Sequence, residues 1–161
     1  MKVIIAIDSF KGSLTSIEAG EATREGILQV HPDWQTDLIP IADGGEGMLS
    51  VMLNSVQGTV QTVWAHNPCM KLIPAEYGIS SDGTTAFIEM AAISGLPLIT
   101  EEQRNPMKTT SYGTGELIRD ALEKGCTRFI VGIGGSATND AGTGMLQALG
   151  FQFLDKAGNT L

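Results

Sequence analysis

Apolar and polar positions alternate along this chain in short blocks, and three of the blocks share one design. Val3-Ile4-Ile5-Ala6-Ile7 is a continuous, β-branched run, the pattern of a strand covered on both faces in a parallel sheet. A polar loop from Asp8 to Leu14 follows it. Thr15 and Glu18 then form a capping box, and Ala19, Ala22, Gly26, Ile27 and Val30 share one face of a helix that His31-Pro32 ends. The order returns with a strand at Leu38 to Ala42, the loop Asp43-Gly44-Gly45-Glu46-Gly47 and a short helix at Met48 to Leu53. It returns again with Phe129 to Ile133, the loop Gly134 to Asp140, and a helix that turns Met145, Leu146, Ala148 and Leu149 inward. Strand, glycine-rich loop, helix is the βα unit of an open α/β sheet.

Between these units the periodicity changes. Ile73 to Ile79 and Thr84 to Met90 are strand-like runs joined through Ser80-Ser81-Asp82-Gly83, and Asp-Gly is a strong hairpin signal. Tyr112-Gly113-Thr114-Gly115 leads into a helix with Leu117, Ile118, Ala121 and Leu122 inward and Gly125 as its cap. The expected fold is α/β: an open, mostly parallel sheet with flanking helices, plus an antiparallel hairpin belonging to a second, smaller α/β domain. The expected division is residues 1–57 and 58–161.

Composition narrows the class. With 42% hydrophobic and 17% charged residues in 161, the chain is too apolar for disorder, and its apolar runs are too short for a bilayer span. One Lys before the first run and no small-residue cleavage pattern after it leave no signal peptide, so the expected location is the cytoplasm. A net charge of −8 with ten scattered basic residues disfavours a nucleic-acid surface. Cys69 and Cys126 have no second Cys or His at ligand spacing and are expected to be buried, reduced thiols. Glycine is the informative excess: 20 residues, about 12% against a usual ~7%, concentrated in the loops.

Ligands of open α/β sheets bind beyond the carboxyl ends of the strands, where the three loops are expected to converge. The first loop places Asp8, Ser9, Lys11 and Ser13 before a helix N-terminus, an arrangement suited to an anion. The second carries Asp43 and Glu46 among Gly44, Gly45 and Gly47, which suits Mg²⁺ or proton removal from a hydroxyl. The third, Gly132-Ile133-Gly134-Gly135-Ser136-Ala137-Thr138-Asn139-Asp140, allows a phosphate cradle. It also matches Gly-x-Gly-x-x-Ala, the dinucleotide fingerprint, with Asp155 at the ribose-binding distance. A nucleophile elbow at Ser136 fails on order, because His31 and His66 both precede it. No Lys follows Gly, so the P-loop is absent as well.

Taken together, Asp8 to Leu14, Pro40 to Gly47, Ile88-Glu89-Met90-Ala91-Ala92, Tyr112 to Ile118 and Gly132 to Asp140 resemble, in order, the motifs of the bacterial glycerate kinase family, which includes glycerate 2-kinases. The resemblance implies ATP-dependent phosphorylation of D-glycerate to 2-phosphoglycerate on a two-domain α/β fold unrelated to P-loop kinases. Family members are longer, so the chain looks like an N-terminal part, with sheet edges that could drive homo-oligomer formation. Ala141 stands where the family commonly has Gly.

Within that reading Lys11, Ser9 and Ser13 hold the phosphoryl or substrate anion, and Asp43 or Asp8 orients or deprotonates the hydroxyl. Glu46 with Asp140 would hold Mg²⁺. Gly44 and Gly45 allow close approach, Gly134, Gly135, Ser136 and Thr138 cradle an anionic group, and Arg104 takes a carboxylate. Two other readings are a dinucleotide-binding domain around Gly132 to Asp155 and a non-catalytic half that needs a further segment.

Overall fold

The computed structural model describes residues 1–160 and contains two separate sheets. Strands β1 (Lys2–Ile7) and β2 (Gln35–Pro40) pair in parallel, Ile5 opposite Leu38. Helix α1 (Ser16–Val30) joins them. Its capping box is formed as expected, the Glu18 N–H donating to Thr15 Oγ1 at 3.2 Å and the Thr15 N–H to Glu18 Oε2 at 2.8 Å. The helix lies on the sheet through Ala19 and Gly20, where a β-carbon at Gly20 would overlap the Leu38 side chain.

Strand β1 is therefore covered on one face, not both. Ile5 is buried, whereas Ile4 is 62% exposed and Ile39 on β2 is 48% exposed. A two-stranded sheet with one helix layer has nothing to cover its other face, which a continuous apolar run cannot reveal.

The second sheet has the order β3-β4-β5-β6. Strand β4 (Leu72–Ile79) is antiparallel to both β3 (Thr59–His66) and β5 (Thr85–Glu89), and β6 (Arg128–Gly132) is parallel to β5. The hairpin forms at the expected turn. Asp82 closes it, accepting from Ser80 Oγ and from the N–H and hydroxyl of Thr84, which together hold its pKa down at about 2. The three strands preceding the glycine loops do not share one sheet: β6 extends the hairpin's sheet, away from β1 and β2.

Helices α3 (Ala91–Ser94) and α4 (Tyr112–Glu123) cover one face of this sheet. Tyr77, Ile88, Ile93, Leu117 and Cys126 form its core. Tyr77 is buried with its hydroxyl donating to Asp120 at 2.6 Å, and desolvation together with that carboxylate pushes its pKa well up. The other face meets helix α2 (Met48–Val56), where a β-carbon on Gly78 would strike Leu49 and Leu53. So α2, which follows the first sheet in sequence, packs on the second.

Helix α5 (Thr143–Ala148) packs on α4 closely enough that a β-carbon on Gly115 would overlap the Met145 carbonyl. Cys126 is buried as expected. Cys69 is exposed instead, because it sits on the tight turn at Asn67–Met70 whose N–H groups bond to Asn67. Among the described residues no helix is long and apolar enough to cross a membrane.

Candidate functional site

The first loop leaves β1 at Asp8, whose Oδ1 accepts the Ser9 N–H at 2.6 Å. It then folds on itself. The Phe10 carbonyl accepts from the N–H groups of Ser13 and Leu14 at 2.8 and 3.1 Å, and Gly12 takes φ of +71°, a conformation a side chain would strain. The turn leaves Lys11 exposed at its tip. Asp8, Ser9, Lys11 and Ser13 line one cleft of about 240 Å³, shared with Glu46 and Ser50 from the second loop and α2. Glu18 is there too, its pKa lowered by the Thr15 N–H and hydroxyl. One ammonium thus faces several carboxylates, so this cleft would attract an anion only at contact range.

The second and third loops are built against each other. Gly134 N–H donates to the Gly44 carbonyl at 3.0 Å. A β-carbon on Gly132 would lie 2.5 Å from that carbonyl oxygen, and one on Gly134 would lie 2.7 Å from Gly45 Cα. The close approach that these glycines permit is therefore, in this structure, loop to loop. Asp43 accepts the Gly45 N–H at 2.9 Å and does not line the first cleft.

Glu89 stands in the motif Ile88 to Ala92, but nothing in the sequence assigns it a role. It closes β5, is only 7% exposed, and its Oε2 accepts the N–H groups of Gly47 and Leu49, both at 3.1 Å. Apart from that motif, its sequence signal is a charge at the end of the apolar run Ala86-Phe87-Ile88.

The third loop lines a second cleft of about 250 Å³ with Met90, Ser111 and Thr114. Its hydroxyls are occupied: Ser136 Oγ donates to the Thr138 carbonyl at 3.0 Å and Thr138 Oγ1 to the Thr109 carbonyl at 2.7 Å. Asp140 ties the start of α4 to that of α5. Its carboxylate accepts from Ser111 N–H and Oγ, both at 2.8 Å, from Gly142 N–H at 2.9 Å and from Gly144 N–H at 3.2 Å. Burial alone would raise its pKa, but these donors outweigh it and the net shift is downward.

A group depressed on folding contributes fully above its unfolded value and loses that contribution as pH falls through the folded one. The clamp should therefore hold at neutral pH and fail below about pH 4. Asp140→Asn should lower the urea midpoint at pH 7, with the gap from wild type closing as pH drops below 4. A gap unchanged with pH would refute the clamp.

Next to it, Ala141 is held at φ of +54°. That region costs an L residue about 1–2 kcal/mol, partly offset by the greater unfolded-state freedom of Gly. Ala141→Gly should stabilise the chain by about 0.5–1 kcal/mol, read from urea unfolding.

The structure separates several residues that the sequence groups. Glu46 lines the first cleft and Asp140 the second. Among the described residues no three His, Cys, Asp or Glu side chains gather as a metal site. Asp140, surrounded by hydrogen-bond donors, does not offer a cation the lone pairs it needs, so these residues do not fit a resident Mg²⁺. Arg104 follows a 3₁₀ turn at Glu101–Gln103, is exposed, and lines neither cleft.

The dinucleotide geometry is not formed either. A Rossmann loop opens directly into its helix, whereas α5 begins only at Thr143 and spans six residues. Asp155 sits in a terminal turn, accepting from Ala157 and Asn159. The histidines are satisfied structurally, His66 by Glu116 at 2.9 Å and His31 by stacking on Trp34 at 3.7 Å.

Comparison with known proteins accords with the order of loops. The glycerate kinase family model matches residues 3–161. The chain is 51% identical over its full length to the glycerate 2-kinase of Escherichia coli (strain K12) and 48% identical to the glycerate kinase of Bacillus subtilis (strain 168), covering 42% of each. The crystal structure of a candidate glycerate kinase 2 from Salmonella typhimurium LT2 superposes with a TM-score of 0.83 at 48% identity, over all of this chain and 43% of that one. The chain thus spans less than half the length of these relatives. With a family model matching nearly the whole chain and relatives about half identical to it along its full length, the chain belongs to the glycerate kinase family.

Proposed function

We propose that this chain carries the phosphoryl-transfer cleft of a kinase that moves the γ-phosphoryl group of ATP to the 2-hydroxyl of D-glycerate, giving ADP and 2-phosphoglycerate. The observation that carries the reading is the convergence of Lys11, Ser9, Ser13 and Asp8 on one cleft at the carboxyl end of β1. Membership of the glycerate kinase family supports it.

The chemistry is in-line transfer, in which the protein positions the reactants and neutralises developing charge. Lys11 sits over the phosphoryl oxygens, and the Ser9 and Ser13 hydroxyls donate to the anion. Asp8 keeps one oxygen on the Ser9 N–H and offers the other to the glycerate hydroxyl, whose proton it takes as the new P–O bond forms and the bond to ADP breaks. Asp43, outside this cleft, is the less favoured base. Gly44 and Gly45 hold the second loop against the third. Gly134, its N–H given to the Gly44 carbonyl, and Gly135 shape the third loop beside the second cleft, and Ser136 and Thr138 line that cleft with their hydroxyls donating within the protein; a nucleotide's phosphates would be held there by the loop backbone. Arg104 receives no role. Mg²⁺ would enter as the nucleotide's own counter-ion.

The two sheets suggest two structural units, as in the expected division into 1–57 and 58–161, but with α2 packed on the second sheet the proposed boundary moves to the stretch just before Gly44. Their open edge strands suggest self-association, which light scattering against concentration would reveal.

The test is ³¹P NMR of the chain with MgATP and D-glycerate. ADP and a new phosphomonoester signal are expected. No transfer, combined with no saturable D-glycerate binding at the Lys11 amide, would overturn the reading.

A further inference from the structure

We propose that Glu89 is a positioning residue for the first cleft: its buried carboxylate, reaching from the second sheet, fixes the loop that brings Glu46 to the wall shared with Lys11. The inference rests on the kinase reading of that cleft for its functional meaning, and on the structure alone for its geometry.

A carboxylate at 7% exposure is costly unless it is well bonded. Glu89 is bonded to one place only among its recorded partners, the Gly47 and Leu49 N–H groups at the start of α2, some forty residues earlier in the chain. That helix has no side-chain cap of its own. Its N-cap is Gly47 in the left-handed conformation, φ +92°. Glu89 supplies the missing cap from another element, and a negative charge there gains from the helix dipole and from charge-assisted bonds.

The preceding residues are held from the other side, where the Gly44 carbonyl accepts the Gly134 N–H. Residues 44–47 are thus pinned at both ends by the second sheet and its loop. Glu46, Gly47 and Ser50 form part of the first cleft's wall, whose remaining residues come from the first loop, the start of α1 and Ile41-Ala42 after β2. Glu89 touches no ligand in this arrangement. It acts through Gly47, setting where Glu46 stands relative to Lys11.

The test compares wild type, Glu89→Leu and Glu89→Gln in the full chain by amide NMR. In Glu89→Leu, hydrogen exchange at Gly47 and Leu49 should speed by about tenfold or more with the core amides of β5 unchanged, and D-glycerate should bind about tenfold more weakly. Glu89→Gln keeps an acceptor oxygen and should restore most of both.

Unchanged exchange and unchanged affinity in Glu89→Leu would overturn the proposal. So would a Gln variant as impaired as the Leu variant. Should wild type bind no D-glycerate, the kinase reading fails by itself, and exchange confined to residues 44–49 still decides the positioning role. If Glu89→Leu does not fold, the Gly47 and Leu49 shifts in Glu89→Gln decide it: both move, or the role is lost.

Discussion

Lys11→Met is expected to lower the rate at which MgATP and D-glycerate yield ADP and a phosphomonoester by about a hundredfold or more, the size seen when one pre-placed donor to a developing anion is removed. Folding should be nearly untouched. Lys11 is exposed at the tip of a turn whose shape is set by backbone bonds at Phe10, Ser13 and Leu14 and by Gly12. Its side chain therefore does little for the native state, and the melting temperature should move by less than about 2 °C. Lys11 is the one cation among Asp8, Glu18 and Glu46 in its cleft. Removing it leaves a wall of carboxylates facing an anionic substrate and an anionic nucleotide. Initial rates by coupled ADP detection, beside thermal unfolding of the same samples, check both halves. Near-wild-type turnover would take Lys11 out of the reaction.

A large stability effect from a single methyl group is expected at Gly134→Ala, between the second and third loops. The added carbon would lie 2.7 Å from Gly45 Cα and 2.9 Å from Gly45 nitrogen. Both are backbone atoms, which cannot swing aside as a flexible side chain could. Such overpacking costs typically 1–3 kcal/mol, or roughly 3–10 °C in melting temperature for a chain of this size. Relief requires the second and third loops to separate, so the Gly134–Gly44 bond and the position of Glu46 should go with it. Gly135→Ala is a control at the adjacent residue: there the nearest atom is the Ala91 methyl at 3.2 Å, although φ of +71° adds strain of its own. Calorimetry should find the Gly134 variant the less stable of the two, and the reverse order would refute loop-to-loop crowding as the reason for glycine at this position.

What could be read in the sequence is what local chemistry specifies. Thr15 and Glu18 announce a helix start wherever they are placed, and Ser80 to Gly83 announce a turn. Both formed as expected. Strand β3 escaped notice because its exposed face carries Val60 and Trp64, which is 67% exposed, so the two-residue alternation is blurred. Pairing was less legible still. Nothing near Phe129 says that β6 will lie beside β5, because that choice is made by a helix crossing between distant residues.

The candidate site divides in the same way. The first loop is continuous in sequence, and its Asp8, Ser9, Lys11 and Ser13 stay together in space. Glu46 and Asp140 were joined by chemistry alone, and the fold sends them to different clefts. The role of Glu89, although the residue sits in the motif Ile88 to Ala92, is visible only through a contact spanning 42 positions.

The packing of α2 on the second sheet also determines how the molecule can bend. From Gly44 onward the backbone is fastened to the second sheet, by the Gly134 N–H and then by Glu89. Ile41 is still held to the first sheet, its N–H donating to the Ile7 carbonyl at 3.3 Å, so the covalent tether between the two bodies is Ala42-Asp43, at most about 7 Å when extended. So short a strap permits rotation about a nearly fixed point and little sliding. Ser9 to Ser13 ride on one side of that pivot, and Glu46 to Ser50 on the other. A rotation of a few degrees would open or shut the cleft like a pair of tongs, and a fluorophore pair across the pivot would report it as a change in distance when nucleotide and glycerate are added.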